Sequence, residues 1–276
     1  MGRRPGRAPQ RRVGPSSGPG PDRRRELPKG VGGEQVEGRQ AVRELLLAGR
    51  RRVKDVWLVE DADRAPILED ILELAAEARV PVKRVSRSQL ESAARSDAPQ
   101  GVLAHAAPIP DVDLDSLVTA RSGVTPFLVA VDGVTDPQNL GAILRTAECA
   151  GATGVVLPRH RAAHVTPTVA KAAAGAVEHL PIALVSGLPS ALSRLKELGV
   201  WSVGLDGAGD TSLFGDLAVA TEPVCLVLGA EGKGLSRLVR ERCDVLAAIP
   251  LRGALASLNV SAAAAVACYE VARRRN

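Results

Sequence analysis

Three stretches of the sequence place small polar and charged residues where apolar runs stop. Val224–Leu228 breaks at Gly229, Gly232 and Gly234, around Glu231 and Lys233. Val245–Ile249 ends at Pro250 and leads past Gly253 to Ser257, Leu258, Asn259, Val260 and Ser261. Short apolar runs halted by Gly or Pro read as buried strands entering loops. Two glycine loops side by side at strand ends make a pocket walled by main chain, suited to a flat, polar small molecule. Ser and Asn ahead of the alanines at 262–265 fit a helix N-terminus, and such small side chains let something pack close to the helix. The third stretch is Asp136-Pro137-Gln-Asn139-Leu-Gly-Ala-Ile-Leu-Arg145. Asp136 before Pro137 reads as an N-cap with proline in the first turn. Leu140, Ile143, Leu144 and Ala147 then share one buried face. Arg145 lies off that face and is free to point at a site.

Other chemistries are less well served. Gly229–Gly234 is no Walker loop, because Gly234 follows Gly232-Lys233 where Ser or Thr is required. It lies too near the C-terminus to be the glycine fingerprint at the first strand of a dinucleotide fold. His160 and His164 have metal-like spacing but no second pair of ligands, so no metal is expected. Aromatic residues are only 2% of the chain, which argues against a stacking platform for single strands.

Taken together, the three stretches resemble the motifs of the SpoU (TrmH-like) family of RNA 2′-O-ribose methyltransferases. Asn139 and Arg145 match the first motif, Leu-Gly229-Ala-Glu231-Gly-Lys-Gly the second, and Ile249-Pro-Leu through Ser257-Leu258-Asn259-Val-Ser261 the third. All three occur in order over roughly half the chain. The resemblance implies a parallel-sheet methyltransferase domain with a deep trefoil knot, S-adenosylmethionine (AdoMet) as methyl donor, and a homodimer joined through the knot helices. It implies a cofactor site at Gly229, Ile249 and Leu258, and a catalytic set of Arg145, Asn139, Glu231, Asn259 and Ser257, with Ser261 the weakest motif member. Arg145 would either activate the 2′-hydroxyl or stay charged, grip a phosphate and stabilise the developing alkoxide. Asn139 would orient Arg145 or the substrate backbone, or cap its helix. Glu231 would hold loop geometry or pair with an arginine. Asn259 and Ser257 would contact RNA or the arginine, or cap the last helix. The expected substrate is a guanosine of 23S ribosomal RNA. The alternatives are an adenosine of that RNA, as in thiopeptide-resistance relatives, a tRNA, or a noncatalytic ribosome-assembly role.

The elements that must hold these residues fall into two α/β units. Helix and strand patterns alternate from Gly38 to Ala107, with helices at Gly38–Gly49, Ile67–Ala78 and Ser88–Ala94 and strands at Val53–Val59, Val80–Val85 and Gly101–Ala107. This matches the substrate-binding domain that many relatives carry. Arg39, Arg50, Arg51, Arg52 and Lys54 would either grip RNA there or form an ordinary solvated face. A second alternation starts at Phe127 and by itself draws an ordinary doubly wound fold. The expected division is a basic tail at 1–33, a substrate-binding domain at 34–108, a linker at 109–125 and the methyltransferase domain at 126–276. Of the first thirty residues, nine are basic, two acidic, six proline and six glycine, so the tail reads as disordered. Over the rest, acidic residues slightly outnumber basic ones, so the pI of 9.3 reports the tail rather than the fold. Such an arm would draw RNA phosphates by counterion release or merely solubilise the chain. No apolar run is long enough to span a membrane, the basic N-terminus lacks a signal-peptide core, and four dispersed cysteines read as reduced, buried thiols. A cytoplasmic protein is expected.

Overall fold

The computed structural model describes residues 1–2, 30–63, 65–119, 123–160, 164–215 and 217–275. Nearly all of the expected tail lies outside them. Two sheets organise the described residues. The first is antiparallel at one edge and parallel at the other, in the order β1 (Gln35–Glu37), β4 (Val102–Ala106), β2 (Val53–Val59), β3 (Val82–Val85). Helices α1 (Arg39–Ala48) and α2 (Pro66–Glu77) cover one face, burying Leu45, Ile71, Val56 and Leu58 together. Helix α3 (Arg87–Ala93) closes the other over Val59, Val85 and Leu103. Helix α1 buries Ala41, Val42, Leu45 and Leu46, the residues its spacing selects, and stops at Gly49 in a left-handed conformation. Strand β1 was not expected. Its inward Glu37 is satisfied by Arg95 N, Ser96 N and Ser96 Oγ, partners almost sixty residues away.

The second sheet is parallel throughout, in the order β7 (Ile182–Val185), β6 (Gly154–Pro158), β5 (Phe127–Val131), β10 (Val224–Leu228), β8 (Trp201–Leu205), β11 (Val245–Ala248), β9 (Thr211–Ser212). Helices α5 (Pro137–Cys149), α6 (Pro167–Ala172) and α9 (Val260–Arg275) cover one face, while α4 (Leu114–Thr119), α7 (Leu188–Glu197) and α8 (Arg237–Arg240) cover the other. Alternate residues of one strand serve both cores: Val129 and Val131 face one, Leu128 and Ala130 the other. That is why these strands read as unbroken apolar runs. The order departs from a plain doubly wound sheet. Strand β10 enters between β5 and β8, and the chain then passes outside β8 to form β11.

Three expectations need correction. The stretch read as a linker is packed rather than free. Asp111 bridges to Ile182 at the sheet edge, and its carboxylate takes Leu184 N at 2.9 Å and Arg159 at 2.5 Å. Leu117 of α4 is buried against Gly154. Arg51 neither faces solvent nor offers itself to RNA: its side chain is 3% exposed and ion-paired with Glu178. Cys149 is exposed, whereas Cys225 and Cys268 are buried and Cys243 is half-buried. Burial pushes the Cys243 and Cys268 thiols up to about 12, so they are inert at neutral pH.

Helix α9 is tied down at its far end. Arg275 donates to the carbonyls of Ala220, Thr125, Pro126 and Glu222 and lies 5.4 Å from the Phe127 ring centre. Glu270, one turn earlier, is held by Arg273 and Arg274.

Candidate active site

The cleft of interest opens at the C-terminal ends of β8, β10 and β11, where a parallel sheet offers its loops to a ligand. It encloses about 390 Å³ and is walled by Leu205–Gly207, Leu228–Leu235, Ile249, Leu251, Ala256–Leu258 and the first turn of α9. The loop after β10 folds back on itself. Ala230 and Gly234 exchange both backbone hydrogen bonds, at 3.0 and 2.8 Å. A Cβ on Gly229 would stand 2.2 Å from the Gly234 carbonyl carbon, so only glycine allows that return. Gly232 and Gly234 take the left-handed conformations that the turn needs. The close approach at Gly229 is therefore the loop's own.

Glu231, at the tip of this loop, is the hub of a closed polar network. Its Oε1 accepts Nδ2–H from Asn139 at 2.8 Å and from Asn259 at 2.7 Å. The second proton of Asn259 Nδ2 goes to Asn139 Oδ1 at 3.0 Å, and that of Asn139 Nδ2 to Asp136 Oδ2 at 2.8 Å. A carboxylate only accepts, so both amides must turn their NH₂ groups toward Glu231, and both then have no proton left to give. The remaining oxygen of Asn259 caps α9 through Ser261 N at 2.8 Å and Ala262 N at 3.4 Å, and also takes the Ser261 hydroxyl. Asp136 caps α5 through Gln138 N and Asn139 N, as its place before Pro137 predicts. The network thus staples three chain segments together: the start of α5, the loop after β10 and the start of α9.

The structure gathers some of the expected residues and leaves others apart. Gly229, Ile249, Leu258, Ser257 and Glu231 line the cleft. Asn139 and Asn259 close its side. Ser257 and Leu258 are exposed, and Ser257 makes no side-chain hydrogen bond among the described residues. Arg145 is exposed on α5, has no hydrogen bond or ion pair among the described residues, and does not line the cleft. Six residues separate it from Asn139, about 9 Å along the helix and two-thirds of a turn to one side. Other contributors escaped the sequence reading. Asp206, at the end of β8, pairs with Arg240 at 3.3 Å across the mouth of the cleft, and Lys233 stands on its rim. A charged residue just after a buried strand is the signal that marks Asp206. Among the described residues, no group of three or more His, Cys, Asp and Glu side chains is placed to hold a metal.

Comparison with known proteins agrees with this architecture. The profile of the SpoU rRNA methylase family matches residues 126–269, and that of the RNA 2′-O ribose methyltransferase substrate-binding domain matches residues 35–112. The 23S rRNA (guanosine-2′-O-)-methyltransferase RlmB of Pseudomonas putida is 42% identical over 246 residues, covering 88% of this chain and 97% of that protein. RlmB of Pseudomonas aeruginosa is 43% identical with the same coverage. Among solved structures, the SpoU methyltransferase AviRb of Streptomyces viridochromogenes in complex with AdoMet aligns with a TM-score of 0.72 at 26% identity, covering 87% of this chain and 89% of that one. An AdoMet-bound rRNA methyltransferase from Sinorhizobium meliloti aligns at 0.68 and 26% identity, with 87% of each chain covered. A profile that spans the whole parallel sheet and its cleft, and relatives matched over nearly their full length, place the chain in the SpoU rRNA methylase family.

Proposed function

We propose that the protein transfers the methyl group of AdoMet to a ribose 2′-hydroxyl of RNA, and that its substrate is a guanosine of 23S ribosomal RNA. The observation that carries this reading is the main-chain cleft at the ends of β8, β10 and β11, stapled along one side by Asn139, Glu231 and Asn259. Its volume of about 390 Å³ suits a nucleoside-sized ligand. Leu205, Leu228, Ile249 and Leu258 give it apolar walls for a flat ring, and Gly229 and its neighbours give it main-chain polar groups. No hydrogen bond within the described loops and turns uses the backbone N–H of Ile249, Leu251 or Leu258, so these donors are free for a ligand or water. When bound, AdoMet supplies an electrophilic methyl group on a sulfonium centre. Every other requirement falls to this chain and to the RNA.

Asn139 and Asn259 have spent their amide protons on Glu231, on Asp136 and on each other, so the role of this trio is to fix the cleft rather than to move a proton. Arg145 is the charge left over. A guanidinium stays protonated in proteins, which makes it a poor base and a good clamp. It grips the phosphate beside the target ribose and stabilises the 2′-oxyanion as it forms, while a phosphate oxygen of the substrate receives the proton. Ser257, exposed on the rim, contacts the RNA backbone.

Arg145 and Cys149 on α5 face outward, as do Ala262 and Tyr269 on α9 and the nearby Phe214. This shared face suits a second copy of the chain, which would bring Arg145 to the edge of a site built by two protomers. The entry of β10 between β5 and β8, followed by β11 and α9, is consistent with a trefoil knot. The division into a tail at 1–33, a substrate-binding domain at 34–108, a connection at 109–125 and a catalytic domain at 126–276 completes the reading. No helix among the described residues is long and apolar enough to cross a membrane, and an enzyme acting on ribosomal RNA works in the cytoplasm. The test is transfer of radiolabelled methyl from AdoMet to protein-free 23S RNA, 16S RNA and tRNA, with the modified ribose then mapped. Label on one 23S guanosine supports the reading, an adenosine or a tRNA corrects the substrate, and no label on any RNA refutes it.

A further inference from the structure

The two sheets are joined by polar contacts, and the central ion pair among them is hidden from water. Arg51, just before β2, meets both oxygens of Glu178 in the 3-10 turn Ala176–Glu178, with Nε to Oε2 at 2.8 Å and Nη2 to Oε1 at 2.5 Å. Each side chain is only 3% exposed. The third nitrogen, Nη1, donates at 2.6 Å to the carbonyls of both Gly33 and Ala107, the points where the chain enters and leaves the smaller unit. Arg50 adds a bond to the Glu178 carbonyl at 3.0 Å. Nearby, His179 Nε2 lies 2.9 Å from Glu44 on α1, and Lys171 of α6 reaches the carbonyls of Asp97 and Ala98. Ala98 and Gln100, in that same loop, hold left-handed backbone conformations without being glycine, so Lys171 grips a segment that is locally strained.

Apart from the two Nη1 bonds, these contacts converge on the segment from α6 to His179, which is pressed against α5. A Cβ on Gly141 would lie 2.4 Å from Ala172 Cβ and 2.8 Å from Val169 O, so the two helices touch backbone to backbone. Helix α5 carries Asn139 and Arg145. The path from the smaller unit to the reaction centre therefore runs through a buried ion pair and a glycine-tight helix contact. An ordinary flexible linker would show neither.

We propose that Arg51 and Glu178 are positioning residues. Acting through α6 and α5, they fix the distance between RNA held on residues 35–112 and Arg145, so that the two units form a rigid gauge selecting which nucleotide is methylated. This rests on the RNA methyltransferase reading above. A planar fork holding a carboxylate in two places fixes orientation as well as distance, which a point charge does not. Looseness of an ångström at a reacting centre costs on the order of a hundredfold in rate.

The test compares wild type, Glu178→Gln and Lys171→Ala on protein-free 23S RNA and on a short hairpin containing only the target nucleotide. AdoMet affinity and thermal unfolding are measured alongside. Glu178→Gln keeps the shape but removes the charge that answers Arg51. Lys171→Ala loosens an exposed tether, with little risk to folding. The expected result on 23S RNA is a kcat/KM lower by about tenfold or more, with the loss in kcat rather than KM and with methyl groups on neighbouring riboses. On the hairpin, which cannot engage both units, the variants match wild type. Single-site methylation of 23S RNA at wild-type kcat/KM in both variants overturns the gauge. Should Glu178→Gln fail to fold, Lys171→Ala decides by the same site map. Wild type that methylates no RNA overturns the functional reading and the gauge with it, whereas active wild type beside unaffected variants overturns the gauge alone.

Discussion

Replacing Asn259 by aspartate separates two jobs that this side chain does at once. Its oxygen caps α9, and its NH₂ group ties Glu231 to Asn139. Aspartate keeps the cap and adds a favourable charge at a helix start, worth about 0.5 kcal/mol. It also turns the two donated hydrogen bonds into oxygen facing oxygen. Losing a bond to a charged acceptor costs about 1.5 kcal/mol and a neutral one about 0.5, using the lower values because the site is exposed. Two carboxylates about 4 Å apart in water-like surroundings add roughly 1 kcal/mol of repulsion. The net expectation is a loss of about 2.5 kcal/mol at pH 8, or a fall in Tm of about 5–10 °C. The pH dependence gives a second handle. The crowded pair in folded Asn259→Asp binds a proton more readily than the unfolded chain does, so stability is recovered as pH falls from 8 toward 5. Asn259→Ala loses cap and network alike and shows no such recovery. Thermal unfolding of the three proteins across that range decides the matter. An Asn259→Asp protein as stable as wild type at pH 8, or more so, would refute the stapling argument.

Other expectations follow from the same geometry. Arg145→Ala should lower kcat by about 10²–10³-fold while AdoMet binds normally by calorimetry, and wild-type turnover would remove Arg145 from the mechanism. Gly229→Ala places a methyl group into the Gly234 backbone, so the loop cannot close and AdoMet affinity should collapse; an affinity within twofold of wild type would show that the loop has another way to fold. Hydrogen bonds from Arg273, and then from Arg274, hold the Glu270 carboxyl at about 2, below its ordinary 4.5. Glu270→Gln should therefore cost about 1–2 kcal/mol above pH 4.5, the figure reduced because Arg273 stands in solvent. The difference from wild type should vanish as pH falls through 2, and a difference that widens on acidification would reverse the assigned sign.

Local chemistry was legible in the sequence where local chemistry decides the structure. Asp136 before Pro137 announced the start of α5, and Gly and Pro marked where β10 and β11 give way to loops. The sites named at Glu231, Ser257, Leu258 and Asn259 stand together at those ends. What stayed hidden depends on partners far along the chain. Strand β1 is three residues long and turns Gln35 and Glu37 inward, so its polar pattern argues against burial until Ala93, Arg95 and Ser96 are seen to answer it. The entry of β10 between β5 and β8 leaves no trace in periodicity, because any of these strands is apolar enough to be central. Arg51 sits in a run of three arginines, and nothing nearby distinguishes the one that finds Glu178 from its neighbours.

The polar character of the joint around Arg51 also bears on how the chain is made. Residues 35–112 are synthesised well before Glu178, at rates of about 5–20 residues per second, and must wait several seconds for the surface they will dock on. Had that surface been a sheet of leucines, the early unit would have met the crowded cell with an aggregation-prone face. Instead it presents Arg51, Glu44 and the carbonyls of Asp97 and Ala98, all content in water. The two main apolar pieces of the seam, Val31 and Ile109, sit on its flanking straps and bury themselves in the larger core only when that core forms. A joint whose central ion pair is dry when closed, and whose open face is polar, leaves the first-made half little apolar surface to aggregate through while it waits for its partner.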